Sequence, residues 1–334
     1  MARLRRFILS KQVYEVCFRT KEGLPFVCTQ YMRLILESVI ARAQRDFKVD
    51  ISHLIYMGNH PHMLISSRDA EQFKNFYCEV KKQTTEMVKR LLGKRHLSLW
   101  QENATNVVYL EDLETIQERI AYFYSNPSKA GLVNTIDNYP GLSTWEVFLG
   151  SENSINYEYK KNCPWIQQPM LKPLPCKSVT ERQDRAICSE LIAKSEISHQ
   201  LVIMPNVWMS AFVEDNDPDT VRGYNQQIIK LIRENEASYR QERNEACRRT
   251  LGSTALKQAP IDRKYTPKKF SPAVFVITRN NELRKQIIAW YREFCNQCAE
   301  CYQQWKAGNL FCQWPPGAYA PVGCPGVNVL QIDI

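Results

Sequence analysis

Gly58-Asn59 falls between two apolar runs, residues 49–57 and 60–66. A two-residue gap of this kind joins antiparallel strands through a tight turn, so the two runs form a hairpin. The hairpin fixes the reading on either side of it. Residues 12–20 (Gln-Val-Tyr-Glu-Val-Cys-Phe-Arg-Thr) are rich in β-branched and aromatic side chains and form a strand. Residues 28–47 carry Tyr31, Leu34, Ile35, Val39 and Phe47 near helical spacing. Residues 70–92 form a second helix with Phe73, Phe76, Tyr77 and Val80 inside it. Residues 106–110 are a short strand. Residues 112–124 form a third helix, acidic at its start as the helix dipole prefers. The order is β-α-β-β-α-β followed by a helix. This is the ferredoxin-like split arrangement, an α+β fold with helices packed on one face of an antiparallel sheet. The other face is expected to stay open for a substrate.

The texture changes near residue 150. Residues 150–162 are polar and residues 164–175 are proline-rich. We therefore read residues 1–150 as one domain, 151–178 as a linker and 179–334 as a mainly helical accessory domain. Helices are expected over 179–194, 219–249 and 281–306, with a basic, polar loop over 251–270. That loop either meets a nucleic-acid backbone or is a flexible connection. Two domains suit a chain of 334 residues. The net charge of +9, from 44 basic and 35 acidic residues, suits a polyanionic partner and equally an ordinary basic surface. No secretory pattern and no membrane-length apolar run is present, so a cytoplasmic location without a membrane partner is expected. In that compartment the 12 cysteines are expected to be free and mostly buried. Cys295, Cys298 and Cys301 repeat at a spacing of three among Trp290, Tyr291, Phe294 and Tyr302. The spacing reads as core packing on a helix, with a metal site completed by Cys312 or Cys324 as the alternative.

Two segments carry chemistry. In the first, His60 and His62 lie two apart on a strand and project to one side, as two ligands of one metal must. The alternative is a pair of partly buried histidines satisfied by neighbours. In the second, Tyr122 and Asn126 lie four apart on a helix and share a face, which Lys129 extends if the helix persists. Pro127 is expected to kink or end the helix at Asn126. The alternative here is a core tyrosine beside a helix-capping asparagine.

Together the segments resemble the REP-associated tyrosine transposases, within the HUH single-tyrosine superfamily. The resemblance runs from residue 13 to residue 145. Its anchors are Asn59-His60-Pro61-His62-Met63-Leu64-Ile65, Leu99-Trp100-Gln101, Tyr122 through Val133, and Tyr139-Pro140-Gly141-Leu142-Ser143. Family members typically carry valine between the histidines, where this chain has Pro61. The resemblance implies metal-dependent cleavage and rejoining of single-stranded hairpin DNA through a 5′-phosphotyrosine, as a transposase or repeat-mobilising enzyme. By position, Tyr122 is the nucleophile, with Tyr124 as a fallback. His60, His62 and Asn126 hold the metal, Mg²⁺ or Mn²⁺. Arg3, Arg5 and Arg6 form either a basic arm of the kind that helps read a guide sequence in the family or a solvated tail, and Lys129 is a further candidate for DNA contact. The oligomeric state, monomer or homodimer, is left open. Two other readings are a domesticated nucleic-acid-binding protein that does not cut, and a replication-initiation or relaxase-type nuclease with the same chemistry.

Overall fold

Along Val13–Thr20 (β1), Tyr14, Val16 and Phe18 point into one apolar cluster, while Val13, Glu15 and Cys17 face the opposite way. This alternation sets up a sheet with two different faces. The computed structural model describes residues 8, 12–67, 69–151, 153–174, 178–213, 217–266, 276–315, 318 and 320–321, with the backbone alone at 103 and 104. After β1 come Gln30–Asp46 (α1), Asp50–Met57 (β2), His60–Ser66 (β3), Ala70–Leu91 (α2), Trp100–Leu110 (β4) and Leu113–Lys129 (α3). Then follow Trp145–Leu149 (α4), Tyr159–Pro164 (β5), Glu181–Ala193 (α5), Ser198–Ile203 (β6) and Pro218–Glu245 (α6). Ser253–Lys257 (α7), Val276–Ile277 (β7) and Asn281–Lys306 (α8) complete the order. The first three helices start at caps written into the sequence. Thr29, Asp69 and Asp112 each accept a backbone N–H of the first helical turn.

The inner strands lie in the order β2-β3-β1-β4 and pair antiparallel throughout, which is the sheet of the expected α+β fold. The sheet is wider than its first four strands. β6 joins parallel to β2, β5 pairs antiparallel with β6, and β7 joins parallel to β4. Thus Tyr159–Pro164, inside the stretch whose composition reads as a linker, is a strand. So is Ser198–Ile203, within the stretch read as mainly helical. Both are short. β5 is polar and lies at the edge, where a strand with a partner on one side needs little apolar patterning, whereas β6 lies between β5 and β2 and buries Leu201 and Ile203.

α1 and α2 cover one face of the sheet, over Tyr14, Val16, Phe18, Leu54, Tyr56, Met63 and Ile65. The opposite face is not left open as expected. Val13, Ile55, Met57, Leu64, Val108 and Leu110 make it apolar as well; α3 packs on it, and α6 packs on α3. Ile116, Ile120 and Phe123 of α3 share that cluster with Val221, Ile228 and Ile232 of α6. Polar clamps add to the packing. The buried Glu236 accepts the Ile136 N–H at 2.6 Å, and Arg243 donates to the Ser128 carbonyl at the end of α3. Arg279 pairs with Glu114 and Glu118 on the exposed side of α3. A third, smaller cluster gathers Phe294, Cys298 and Cys301 of α8 with Trp314. Among the described residues no helix is long and apolar enough to cross a membrane.

Candidate active site

The β2–β3 hairpin aligns Met57 with His60, Tyr56 with Pro61 and Ile55 with His62. Pro61 leaves this register intact. It lies just beyond the point where the ladder between β3 and β1 ends, at Cys17 opposite His62, so its missing N–H leaves that ladder whole. His60 and His62 therefore project to one side, with ring centroids 4.9 Å apart and planes at 80°. Each ring is oriented through Nδ1. His60 donates to Asn59 Oδ1 at 2.6 Å, and His62 donates to Glu15 Oε1 at 2.8 Å. Both Nε2 atoms are thereby the ones available to a further partner, as imidazoles that bind a metal require.

α3 brings its residues to the same side. Of the two outcomes expected at Pro127, a kink or an end of the helix at Asn126, the second is not met, because α3 continues to Lys129. Proline forfeits one hydrogen bond near the end of the helix, and a strong terminator offsets the loss. Leu132 N–H reaches Pro127 O at 2.9 Å and Gly131 N–H reaches Ser128 O at 3.0 Å, with Gly131 at φ +67°. This is a Schellman cap, and it holds the last turn in register. The Tyr122 ring meets the His62 ring edge-on at 5.4 Å, and Asn126 Nδ2 lies 3.3 Å from His62 Nε2. Phe123 stacks on His62 with ring centroids 5.1 Å apart. Lys129 holds its ammonium 5.3 Å from the Tyr122 ring centroid and 5.8 Å from that of Tyr239 on α6.

Glu15 and Arg119 complete the cluster. Glu15 is 3% exposed, so its carboxylate must be fully bonded, and it is. Besides His62 it accepts Arg119 Nε at 2.7 Å and Arg119 Nη2 at 2.8 Å. The same guanidinium lies 4.4 Å above the Tyr122 ring. Burial alone would raise the Glu15 carboxyl, but the His62 hydrogen bond and the Arg119 charge outweigh it and hold Glu15 well below the usual carboxylate range. Burial pulls His62 down, while Cys17 and Glu15 lift it above an ordinary histidine. His60 is held well below the ordinary value, chiefly by burial and then by its cationic neighbours. Burial raises the Tyr122 phenol, and the Arg119 charge pulls it the other way.

His60, His62, Tyr122, Asn126 and Lys129 thus meet in one place. Arg3, Arg5 and Arg6 lie outside the described residues. Tyr124 points elsewhere: it is fully buried, bonded to His53 Nδ1 at 2.8 Å and to Thr144 Oγ1 at 3.0 Å, and packed on Trp145 and Phe148. Glu15 and Arg119 are members of the site that motif reading passed over, and Asn59, quoted in the motif, had no role assigned to it. Glu15 and Arg119 are 104 residues apart, and only the sheet-to-helix packing unites them. Among the described residues no three side chains of His, Cys, Asp or Glu form a metal-holding group. Beside the histidine pair the Asn126 amide is a further polar side chain, 3.3 Å from His62 Nε2. Cys295, Cys298, Cys301 and Cys312 likewise form no such group among the described residues, and Cys324 lies outside them. Cys298 and Cys301 are buried in the α8 cluster, and Cys301 Sγ lies 3.0 Å from the Gln313 carbonyl.

No protein-family model matches the sequence, and no curated protein matches it. Among solved structures, a REP-associated tyrosine transposase bound to a REP hairpin is similar over 45% of this chain and 86% of its own. The two are 20% identical, with a TM-score of 0.38.

Proposed function

We propose that this chain is an HUH-type single-tyrosine nuclease that cleaves and rejoins single-stranded hairpin DNA, as a transposase or repeat-mobilising enzyme. The observation that carries this reading is the meeting of His60, His62 and Asn126 with the half-buried Tyr122 on one side of the β3–α3 packing. The motifs that resemble the REP-associated tyrosine transposases supply the substrate class. Two imidazoles and an amide oxygen fit Mg²⁺ or Mn²⁺ in a mixed nitrogen and oxygen site. To serve as the third ligand, Asn126 turns its amide so that Oδ1 rather than Nδ2 faces the histidines. A divalent ion held there offsets negative charge on a phosphodiester.

The residues of the chain do the rest. The Tyr122 oxygen attacks phosphorus, the bond from phosphorus to the 3′ oxygen breaks, and the 5′ end of the cut strand stays on Tyr122. The phenol gives up its proton and the leaving 3′ oxygen gains one. A phenol is a poor nucleophile at neutral pH, and the Arg119 and Lys129 charges beside the ring favour its anion. The new phosphodiester keeps the energy of the old one, so a second 3′ hydroxyl can attack it and rejoin the strand. Incubation with labelled single-stranded hairpins of randomised foot sequence tests the reading. Expected is a protein–DNA adduct on a denaturing gel that needs Mg²⁺ or Mn²⁺ and is absent in His60→Ala. Tight hairpin binding with no adduct under any metal would replace the nuclease with a binder that does not cut.

A further inference from the structure

Glu15 is a costly residue to bury. Two apolar side chains of the same volume would close this part of the interface without desolvating a carboxylate and a guanidinium. Its bonds explain what it contributes. Oε1 accepts from His62 Nδ1 and from Arg119 Nη2, both at 2.8 Å, so the two donors meet on a single atom. Oε2 takes Arg119 Nε at 2.7 Å, which fixes the plane of the guanidinium. That plane lies 4.4 Å above the Tyr122 ring. One carboxylate on β1 therefore orients a side chain of β3 and, through Arg119, a side chain of α3.

We infer that Glu15 is a positioning residue that registers the tyrosine against the histidine pair, with Arg119 as its arm to Tyr122. The inference rests on the proposed nuclease reading and deepens it. The hydrogen bonds of Glu15 go to His62 and Arg119. It holds the His62 ring so that Nε2 faces the pair's shared side, and holds Arg119 so that Tyr122 stays beside that nitrogen. Loss of the carboxylate should loosen both attachments, whereas a change at Arg119 that keeps its charge should loosen only the tyrosine.

The test compares full-length wild type, Glu15→Gln and Arg119→Lys by calorimetric titration with Mn²⁺ and by the rate of hairpin adduct formation at saturating Mn²⁺. Glu15→Gln is expected to bind Mn²⁺ about 10- to 100-fold more weakly. Its adduct rate at saturation should also fall, by about 10- to 100-fold. Arg119→Lys is expected to bind Mn²⁺ as the wild type does and to lose rate alone. Wild-type affinity and rate in Glu15→Gln would overturn the inference and leave the nuclease reading standing. Should Glu15→Gln fail to fold by circular dichroism, Arg119→Lys decides. A wild-type rate in Arg119→Lys at saturating Mn²⁺ overturns the link to Tyr122. A wild-type chain that binds no Mn²⁺ and forms no adduct overturns the parent reading, and this inference with it.

Discussion

Two tyrosines two positions apart on α3 have opposite fates, and their contacts say why. Tyr122 is half-buried, and its surroundings are the rings and cations of the site, whereas Tyr124 is sealed between His53, Thr144 and two aromatic rings. Tyr122→Phe should abolish adduct formation and leave the unfolding midpoint unchanged. Tyr124→Phe should still form the adduct and cost about 1 to 2 kcal/mol of stability, because it strips buried partners of a hydrogen bond. Denaturant unfolding beside the adduct gel checks both, and an adduct lost in Tyr124→Phe would exchange their roles. His53 offers a second handle. Burial holds its imidazole at about 3, against the pull of the Pro205 carbonyl, so it folds neutral. The unfolded chain takes up a proton below its ordinary value of 6.5, so folding is penalised as pH falls through 6.5 and increasingly down to about 3. Between pH 7 and pH 5 the wild type should lose about 2 kcal/mol that His53→Gln does not lose. A difference between the two that stays constant across that range would contradict the buried neutral imidazole. At this scale the sequence was informative wherever spacing carries geometry: two apart on a strand for the histidines, four apart on a helix for Tyr122 and Asn126. Glu15 and Arg119 have no such spacing. Their meeting is a product of tertiary packing, and neither a lone glutamate on a strand nor a lone arginine on a helix announces it.

The elements that carry the site are tuned at their ends. α3 tolerates Pro127 because the Schellman cap at Gly131 holds the turn that follows. An added Cβ at Gly131 meets the Arg243 side chain only at 3.9 Å, so space is not the obstacle there. The φ of +67° is, and Gly131→Ala should cost about 1 kcal/mol. It should lower the adduct rate more than the same loss of stability introduced in α8 does, because the Asn126 turn is the one it loosens. Equal rates in the two variants, at matched stability, would mean that the cap serves folding alone. The boundaries of the long helices were legible because caps and periodicity agree along them: α1, α2, α6 and α8 begin and end close to where their patterns do. The persistence of α3 past Pro127 was not legible, since proline's local bias carries no information on what closes the helix three residues on. Nor were β5, which is short and polar, and β6, which is short and whose alternation ends in the apolar Leu201-Val202-Ile203.

Across the whole molecule, the second half of the chain braces the first. α6 covers α3 through Val221, Ile228 and Ile232, while Glu236, Arg243 and Arg279 bond to α3 or to the turn after it. A change of composition near residue 150 is legible, but composition is silent about which surfaces dock, and β5, β6 and β7 join the sheet of the first part. A chain ending at residue 150 would expose the α3 face that α6 covers, and it should unfold at markedly lower temperature than the full chain or aggregate. Equal thermal midpoints for the two would show the brace to be dispensable. His60, His62, Tyr122 and Asn126 also come from one chain, with α3 held in place on both sides. Mixing His60→Ala with Tyr122→Phe should therefore yield no adduct, and recovery of activity in the mixture would mean that two copies share their sites. The most direct measurement of the central claim is to locate the bond itself. The adduct formed with Mn²⁺ and single-stranded hairpin DNA is trimmed with nuclease, digested with protease and sequenced by mass spectrometry. Expected is a nucleotide attached through its 5′ phosphate to Tyr122, in the peptide that also holds Asn126. Attachment at Tyr124 or at any other residue, or no attachment where cleavage occurs, would contradict it.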